Sequence, residues 1–159
     1  MHGDIEINLI KCFQHIPCST YITKIMKSIS AIFNYKIYIF IILILYFCNK
    51  LTNLQLIILS SSQFIIFAIK YIFKRKRPYM VSKDIKLLES DYFDEYSFPS
   101  GHTLNACLLS YFLKKNLNIN LNVLAYLVGL SRVYLGVHYP SDIIGGILLT
   151  KIILHFNYL

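Results

Sequence analysis

Charge is what this chain lacks over most of its length. Of its 159 residues, 56% are hydrophobic, 16 are Lys or Arg and 8 are Asp or Glu, and the mean hydropathy is +0.54. Ionisable groups are sparse within the apolar runs. They gather at the run ends, in the segment from Lys74 to Glu95, and in the N-terminal segment. A soluble domain of this size alternates polar and apolar faces. Several stretches here are apolar all round, a surface that a small soluble protein has no means of hiding from water. The pattern is that of a polytopic membrane protein. Ordered cysteine spacing is missing as well: Cys12, Cys18, Cys48 and Cys107 fit neither a metal site nor a disulfide framework. Cys48 and Cys107 lie in apolar runs and read as small hydrophobes. Nor is there a tidy secretory signal, because Asp4 and Glu6 precede a mixed stretch with no small-residue cleavage site behind a compact apolar core.

The formal net charge of +8 raises nucleic acid as a partner. The basic residues, however, sit at helix ends and in one short cluster, Lys74-Arg75-Lys76-Arg77, rather than along a polar stripe. That placement suits anionic lipid headgroups or a phosphate substrate and argues against nucleic acid.

Apolar runs set out the organisation. Residues 1–35 are mixed, with Ile22, Ile25, Met26 and Ile29 at helical spacing, and read as an N-terminal interfacial segment. Residues 36–159 form one transmembrane domain without repeats, its runs lying at about 37–48, 54–73, 100–113, 121–135 and 142–156. The expectation is an all-α polytopic transmembrane helical bundle of about five spans, or six if residues 1–30 add one. Alternating those spans puts the end of the second run, the start of the third, the end of the fourth and the start of the fifth on one membrane face. The polar turns at 49–53 and 114–120 fall on the other. Ionisable groups beside spans are costly and usually functional, so their collection on one face is informative.

Lys70 and Arg77 are seven residues apart, two helical turns, and can present both cations on one face before Pro78 stops the helix. They can equally be snorkelling side chains at a membrane boundary. Pro99-Ser100-Gly101-His102 reads as a helix start with Ser100 as N-cap. Such a terminus favours an anion, and Gly101 lets the backbone come close to it. His102 beside that anion can donate a proton, or serve simply as a capping or loop histidine. Arg132, at the end of an apolar run, needs a partner, and a phosphate suits its planar fork. His138 and Asp142 are four apart across Tyr139-Pro140. A carboxylate in reach would fix the imidazole tautomer and leave the other ring nitrogen to attack phosphorus; Asp142 as a plain helix-start charge is the simpler alternative. The acidic residues Asp84, Glu89, Asp91, Asp94 and Glu95 form a solvated loop or a lid.

Lys70-x6-Arg77-Pro78, Pro99-Ser100-Gly101-His102 and Ser131-Arg132-x5-His138-x3-Asp142 together resemble the three signature motifs of the type 2 phosphatidic acid phosphatase family. Its superfamily includes bacterial acid phosphatases, vanadium haloperoxidases and glucose-6-phosphatase. The likeness runs from Lys70 to the C-terminus. It implies that His138 is the nucleophile of a phosphohistidine mechanism, that Asp142 orients it, and that His102 protonates the leaving oxygen and then helps activate water. It further implies that Lys70, Arg77, Arg132, Ser100 and the Gly101 amide hold the phosphoryl oxygens, without a metal or other cofactor. The implied substrate is a lipid phosphate, phosphatidate-like or polyprenyl diphosphate, met at the bilayer surface on the non-cytosolic face. A non-catalytic lipid-binding or transport relative, a lipid phosphotransferase and a haloperoxidase are the alternatives.

Overall fold

The computed structural model describes residues 2–15, 20–89 and 94–157, so that Cys18 and Asp91 lie outside the described residues. The described residues form eight helices: α1 (His2–His15), α2 (Thr20–Ala31), α3 (Tyr35–Phe47), α4 (Asn53–Phe73), α5 (Pro78–Val81), α6 (Gly101–Leu117), α7 (Asn122–Tyr134) and α8 (Pro140–Asn157). The expected all-α class is therefore observed. An isolated bridge between Lys76 and Tyr96 is the β-type pairing recorded among these residues.

Helix ends follow the local chemistry. Thr52 and Gln55 form a reciprocal capping box that starts α4. Its last turn closes on Lys74, which takes the left-handed conformation and returns its N–H to the Lys70 carbonyl. Arg77 therefore lies beyond the helix, as N-cap of α5, and not two turns along α4 as the spacing predicts. The third apolar run continues past Leu113 to Leu117, because Lys114 and Lys115 suit the C-terminal dipole and Asn118 supplies a left-handed cap. Pro140 opens α8 in the first turn, two residues earlier than expected.

The expected count of five or six spans is corrected here. Among the described residues one helix, α4 with 21 residues, is by itself long and apolar enough to cross a bilayer; α2 and α3 meet that test only as a pair bent by 51°. Length is the reason for α3 and α7, of 13 residues each: roughly 20 Å of helix faces roughly 30 Å of hydrocarbon. α6 carries Asn105, Ser110, Lys114 and Lys115 among its 17 residues.

Packing nevertheless turns the apolar side chains outward as well as inward. Phe64, Phe67, Ile72 and Phe73 on α4 are largely exposed, as are Phe40 and Phe47 on α3. On α8, Ile144, Leu148, Ile152 and Phe156 recur every four residues and form one exposed stripe. So wide an apolar exterior calls for an apolar surrounding.

At the centre, α6 packs against α4, α7 and α8, while α7 also contacts α1 and α2. Leu104, Leu108 and Phe112 of α6 are wholly buried against Tyr38, Ile58, Leu59 and Val128. The N-terminal helices join this body. Ile10 of α1 is fully buried beside Ile85, Val133 and Tyr139, and the Gln14 amide donates to the carbonyls of Lys86 (2.8 Å) and Tyr134 (3.0 Å).

The close crossing of α8 over the start of α6 fixes the site described below, and Gly146 permits it. A Cβ there would lie 2.8 Å from the Ser100 carbonyl oxygen and 3.2 Å from Thr103 Cβ. Gly146→Val should accordingly destabilise the fold by about 1–3 kcal/mol, the usual cost of overfilling a packed contact. A lowered thermal midpoint in detergent is the expected reading, and an unchanged midpoint would contradict the tight crossing.

Candidate active site

The motif residues converge where the ends of α4 and α7 meet the starts of α6 and α8. Lys70, Arg77, Gly101, His102 and His138 line one cavity of about 370 Å³. Phe33, Ile39, Ile66 and Phe67 supply an apolar wall, and the Gln63 amide donates to Asn105 Oδ1 at 2.7 Å beside it.

At the floor, His138 and Asp142 stand as the spacing predicts. The Nδ1 of His138 is 3.2 Å from Asp142 Oδ2, which also accepts from the Tyr139 amide at 2.9 Å. With Nδ1–H donating to the carboxylate, the lone pair of Nε2 faces the cavity, 3.4 Å from an Arg77 guanidinium nitrogen. Burial foremost, then the positive charges of Arg77, Lys70 and Arg132 and the neighbouring His102, hold the His138 imidazole well below its ordinary pKa. It is thus neutral near pH 7 and has a lone pair to offer.

Each cation has an anionic or polar partner. The Arg77 guanidinium donates to the carbonyls of Asp94 (2.7 Å) and Val137 (2.9 Å) and lies 3.4 Å from the Asp94 carboxylate. Lys70 donates to the Asp94 carboxylate and, at 2.9 Å, to the Tyr96 carbonyl. Arg132, fully buried, donates to Glu89 Oε2 at 2.7 Å and to Ser30 on α2. Arg132 therefore sits behind the cavity wall rather than on it. Ser100 follows a cis Phe98–Pro99 bond, and its hydroxyl accepts from Thr103, so that it serves as the expected N-cap and is buried outside the cavity lining.

Among the described residues of the 84–95 segment, Glu89 and Asp94 thus sit in the site. Their carboxylates neutralise the cations of the site, Asp94 those on the cavity and Glu89 the one behind its wall. Burial pushes the Asp94 carboxyl up, but Lys70, the Tyr96 amide and Arg77 together outweigh it and leave the pKa below the ordinary value. Asp94 therefore stays ionised, and its hold on Lys70 and Arg77 persists, until the pH falls below the normal carboxylate range. Asp84 is elsewhere, paired with Lys11 at 2.5 Å. Among the described residues no group of three His, Cys, Asp or Glu side chains is placed to hold a metal ion.

Sequence reasoning missed three contributors: Arg75, Glu6 and Ser30. Arg75 donates to Asp142 Oδ1 (2.7 Å), to the Ser141 hydroxyl (2.6 Å) and to Glu6 Oε2 (2.6 Å). Within the run Lys74–Arg77 nothing distinguishes it from its neighbours. Glu6 lies in a mixed stretch with Asp4, Asn8 and Lys11 around it, so nothing in the local sequence marks it either.

The PAP2 superfamily model matches residues 34–159. Phosphatidylglycerophosphatase B of Bacillus subtilis is 46% identical where the two align, over 32% of this chain and 32% of that protein. The undecaprenyl-diphosphatase of Sulfolobus acidocaldarius is 42% identical, over 50% of this chain and 40% of that protein. The chain thus spans a third to two fifths of the curated relatives it matches. Its fold superposes on the transmembrane PAP2-type phosphatidylglycerolphosphate phosphatase from Bacillus subtilis with a TM-score of 0.75 and 28% identity, covering 97% of this chain and 85% of that one. Aquifex aeolicus LpxE gives a TM-score of 0.79 at 22% identity, covering 94% and 92%, a likeness of fold.

Replacing Asp94 with Asn removes the carboxylate that shares Lys70 and Arg77. Inorganic phosphate should then bind a few-fold more tightly, since a partly exposed ion pair contributes up to about 1 kcal/mol. Titration calorimetry reads the change, and unaltered or weaker binding would contradict this competition.

Proposed function

Because the chain belongs to the PAP2 superfamily, we propose that it is an integral membrane phosphatase that removes phosphate from a lipid phosphate monoester or diphosphate. The observation that carries this reading is the cavity itself. Cations and two histidines make up one side of it, and Phe33, Ile39, Ile66 and Phe67 make up the other. A headgroup phosphate and the first part of an acyl or prenyl tail have complementary surfaces there.

In this mechanism Nε2 of His138 forms a bond to phosphorus as the bond to the lipid oxygen breaks. Asp142 holds Nδ1–H and stabilises the positive charge that develops on the ring. The entering phosphate brings negative charge beside His102 and favours its imidazolium, which gives its proton to the leaving oxygen. His102 then takes a proton from water as that oxygen attacks phosphorus and the N–P bond breaks, which returns His138 and releases phosphate. Lys70, Arg77 and the Gly101 end of α6 stabilise the equatorial oxygens. Arg132 adds positive charge from behind the wall, and Ser100 holds the start of α6 in place. Protein groups supply every charge this route needs, so the reaction runs without a metal.

The relatives act, by name, on phosphatidylglycerophosphate and undecaprenyl diphosphate, which puts both beside phosphatidate in the panel to be tried. The catalytic face is taken to be the non-cytosolic one. Arg75 and Arg77 do not count against this as free positive charges, because both are engaged inside the protein. The same phosphohistidine can pass its group to a lipid alcohol, which makes transfer the second reading.

Purified protein in detergent and EDTA should release phosphate from at least one member of that panel. His138→Ala should lower turnover by about a thousandfold or more, as loss of a nucleophile does. Full activity in His138→Ala would overturn the mechanism; tight lipid binding with no hydrolysis by the intact protein would favour a non-catalytic relative.

A further inference from the structure

The His138–Asp142 pair does not end at the aspartate. Oδ2 of Asp142 is committed to His138 and to the Tyr139 amide, while Oδ1 takes the Arg75 donor at 2.7 Å. Asp142 is wholly buried, and an ionised carboxylate there needs a counter-charge. Arg75 is itself fixed on three sides. Its guanidinium lies 3.9 Å over the Tyr139 ring, donates to the Ser141 hydroxyl at 2.6 Å, and donates to Glu6 at 2.6 Å. Glu6 uses its second oxygen to accept the Ser141 amide at 2.9 Å, at the first turn of α8. One carboxylate on α1 thus ties the arginine and the helix start together, and both carry Asp142.

We infer that Arg75, held by Glu6 of α1, is a positioning residue for the nucleophile, and that α1 is consequently part of the catalytic unit. This rests on the hydrolytic reading above. The argument is one of competing partners. Lys70 and Arg77 are nearby cations, and both are turned toward the cavity and Asp94. Without Arg75 the Asp142 carboxylate keeps the Tyr139 amide and the Ser97 hydroxyl but has no cation bonded to it, and the pull of those cavity charges on it, away from Nδ1, goes unopposed by any charge. The imidazole would then lose its fixed tautomer, with the Nε2 lone pair no longer held toward phosphorus. Arg75 is not among the residues that line the cavity, so it orients without binding substrate. Glu6 precedes residues 34–159, the part that matches the family model.

Steady-state kinetics on the full chain in detergent test the inference, with wild type and His138→Ala run alongside. Arg75→Gln should lower kcat by about tenfold to a hundredfold, the scale of an ångström-sized misplacement of a reacting group, with KM shifted less than about threefold because substrate contacts remain. Arg75→Lys should recover part of kcat, since a cation returns without its fork. Glu6→Gln should show a smaller loss, and the double variant should be no worse than Arg75→Gln, because one residue acts through the other. If Arg75→Gln does not fold, judged by its melting profile, the Arg75→Lys and Glu6→Gln values decide. Variants with wild-type kcat, a loss carried by KM, or losses that multiply in the double variant would overturn the inference. An inactive wild type would overturn the hydrolytic reading instead, so the two failures are distinguishable.

Discussion

Crowding of positive charge in a medium that cannot screen it is the constraint on which the rest of this structure depends. Lys70, Arg77 and Arg132 are each nine-tenths or more buried and close enough to bear on His138. Their repulsion is far stronger among apolar helices than in water. Such a cluster persists only with anions in it. Asp94 and Glu89 supply them here, and carbonyls of Asp94, Tyr96 and Val137 complete the coordination. In the proposed function the same demand favours phosphate: a ligand would have to bring enough negative charge to replace or share these carboxylates.

Around that cluster the fold is arranged in two layers of opposite need. Outward, α3, α4 and α8 expose phenylalanine, leucine and isoleucine to an apolar surrounding. Inward, the polar ends of α4, α6, α7 and α8 meet where their unsatisfied backbone groups and charged side chains satisfy one another. Ser100 illustrates the economy: its side chain caps α6 while its own amide donates to the Asp142 carbonyl at 3.0 Å. Gly146 then allows the two helices to approach closely enough for that bond. Loosening that crossing would separate the motif that carries His102 from the motif that carries Asp142.

Much of the site was legible in the sequence because a charged group in an apolar stretch stands out. Lys70, His102, Arg132, His138 and Asp142 are each rare polar residues at run ends, and the structure brings the ends of α4 and α7 together with the starts of α6 and α8. Other features are set by tertiary partners and leave no local mark. The break after Phe73 depends on Lys74 entering the left-handed region and Arg75 reaching Glu6 and Asp142. Arg75 is thus concealed among four consecutive cations. Glu89 and Asp94 were part of an acidic segment in which nothing separates a solvated carboxylate from one facing a lysine. The number of spans was misread for a different reason. Apolar composition marks which segments avoid water, but α3 and α7 have 13 residues each, and composition carries no information on how short helices share the bilayer thickness.

The central claim is that the phosphoryl group passes through Nε2 of His138. Its most direct test is to quench the protein into alkali during turnover of a lipid substrate labelled in its phosphate, then locate the label by peptide mapping. The account requires an acid-labile, alkali-stable label on the peptide that contains His138, and its disappearance in His138→Ala. Label on any other residue, or turnover by His138→Ala at the wild-type rate in the same samples, would contradict it.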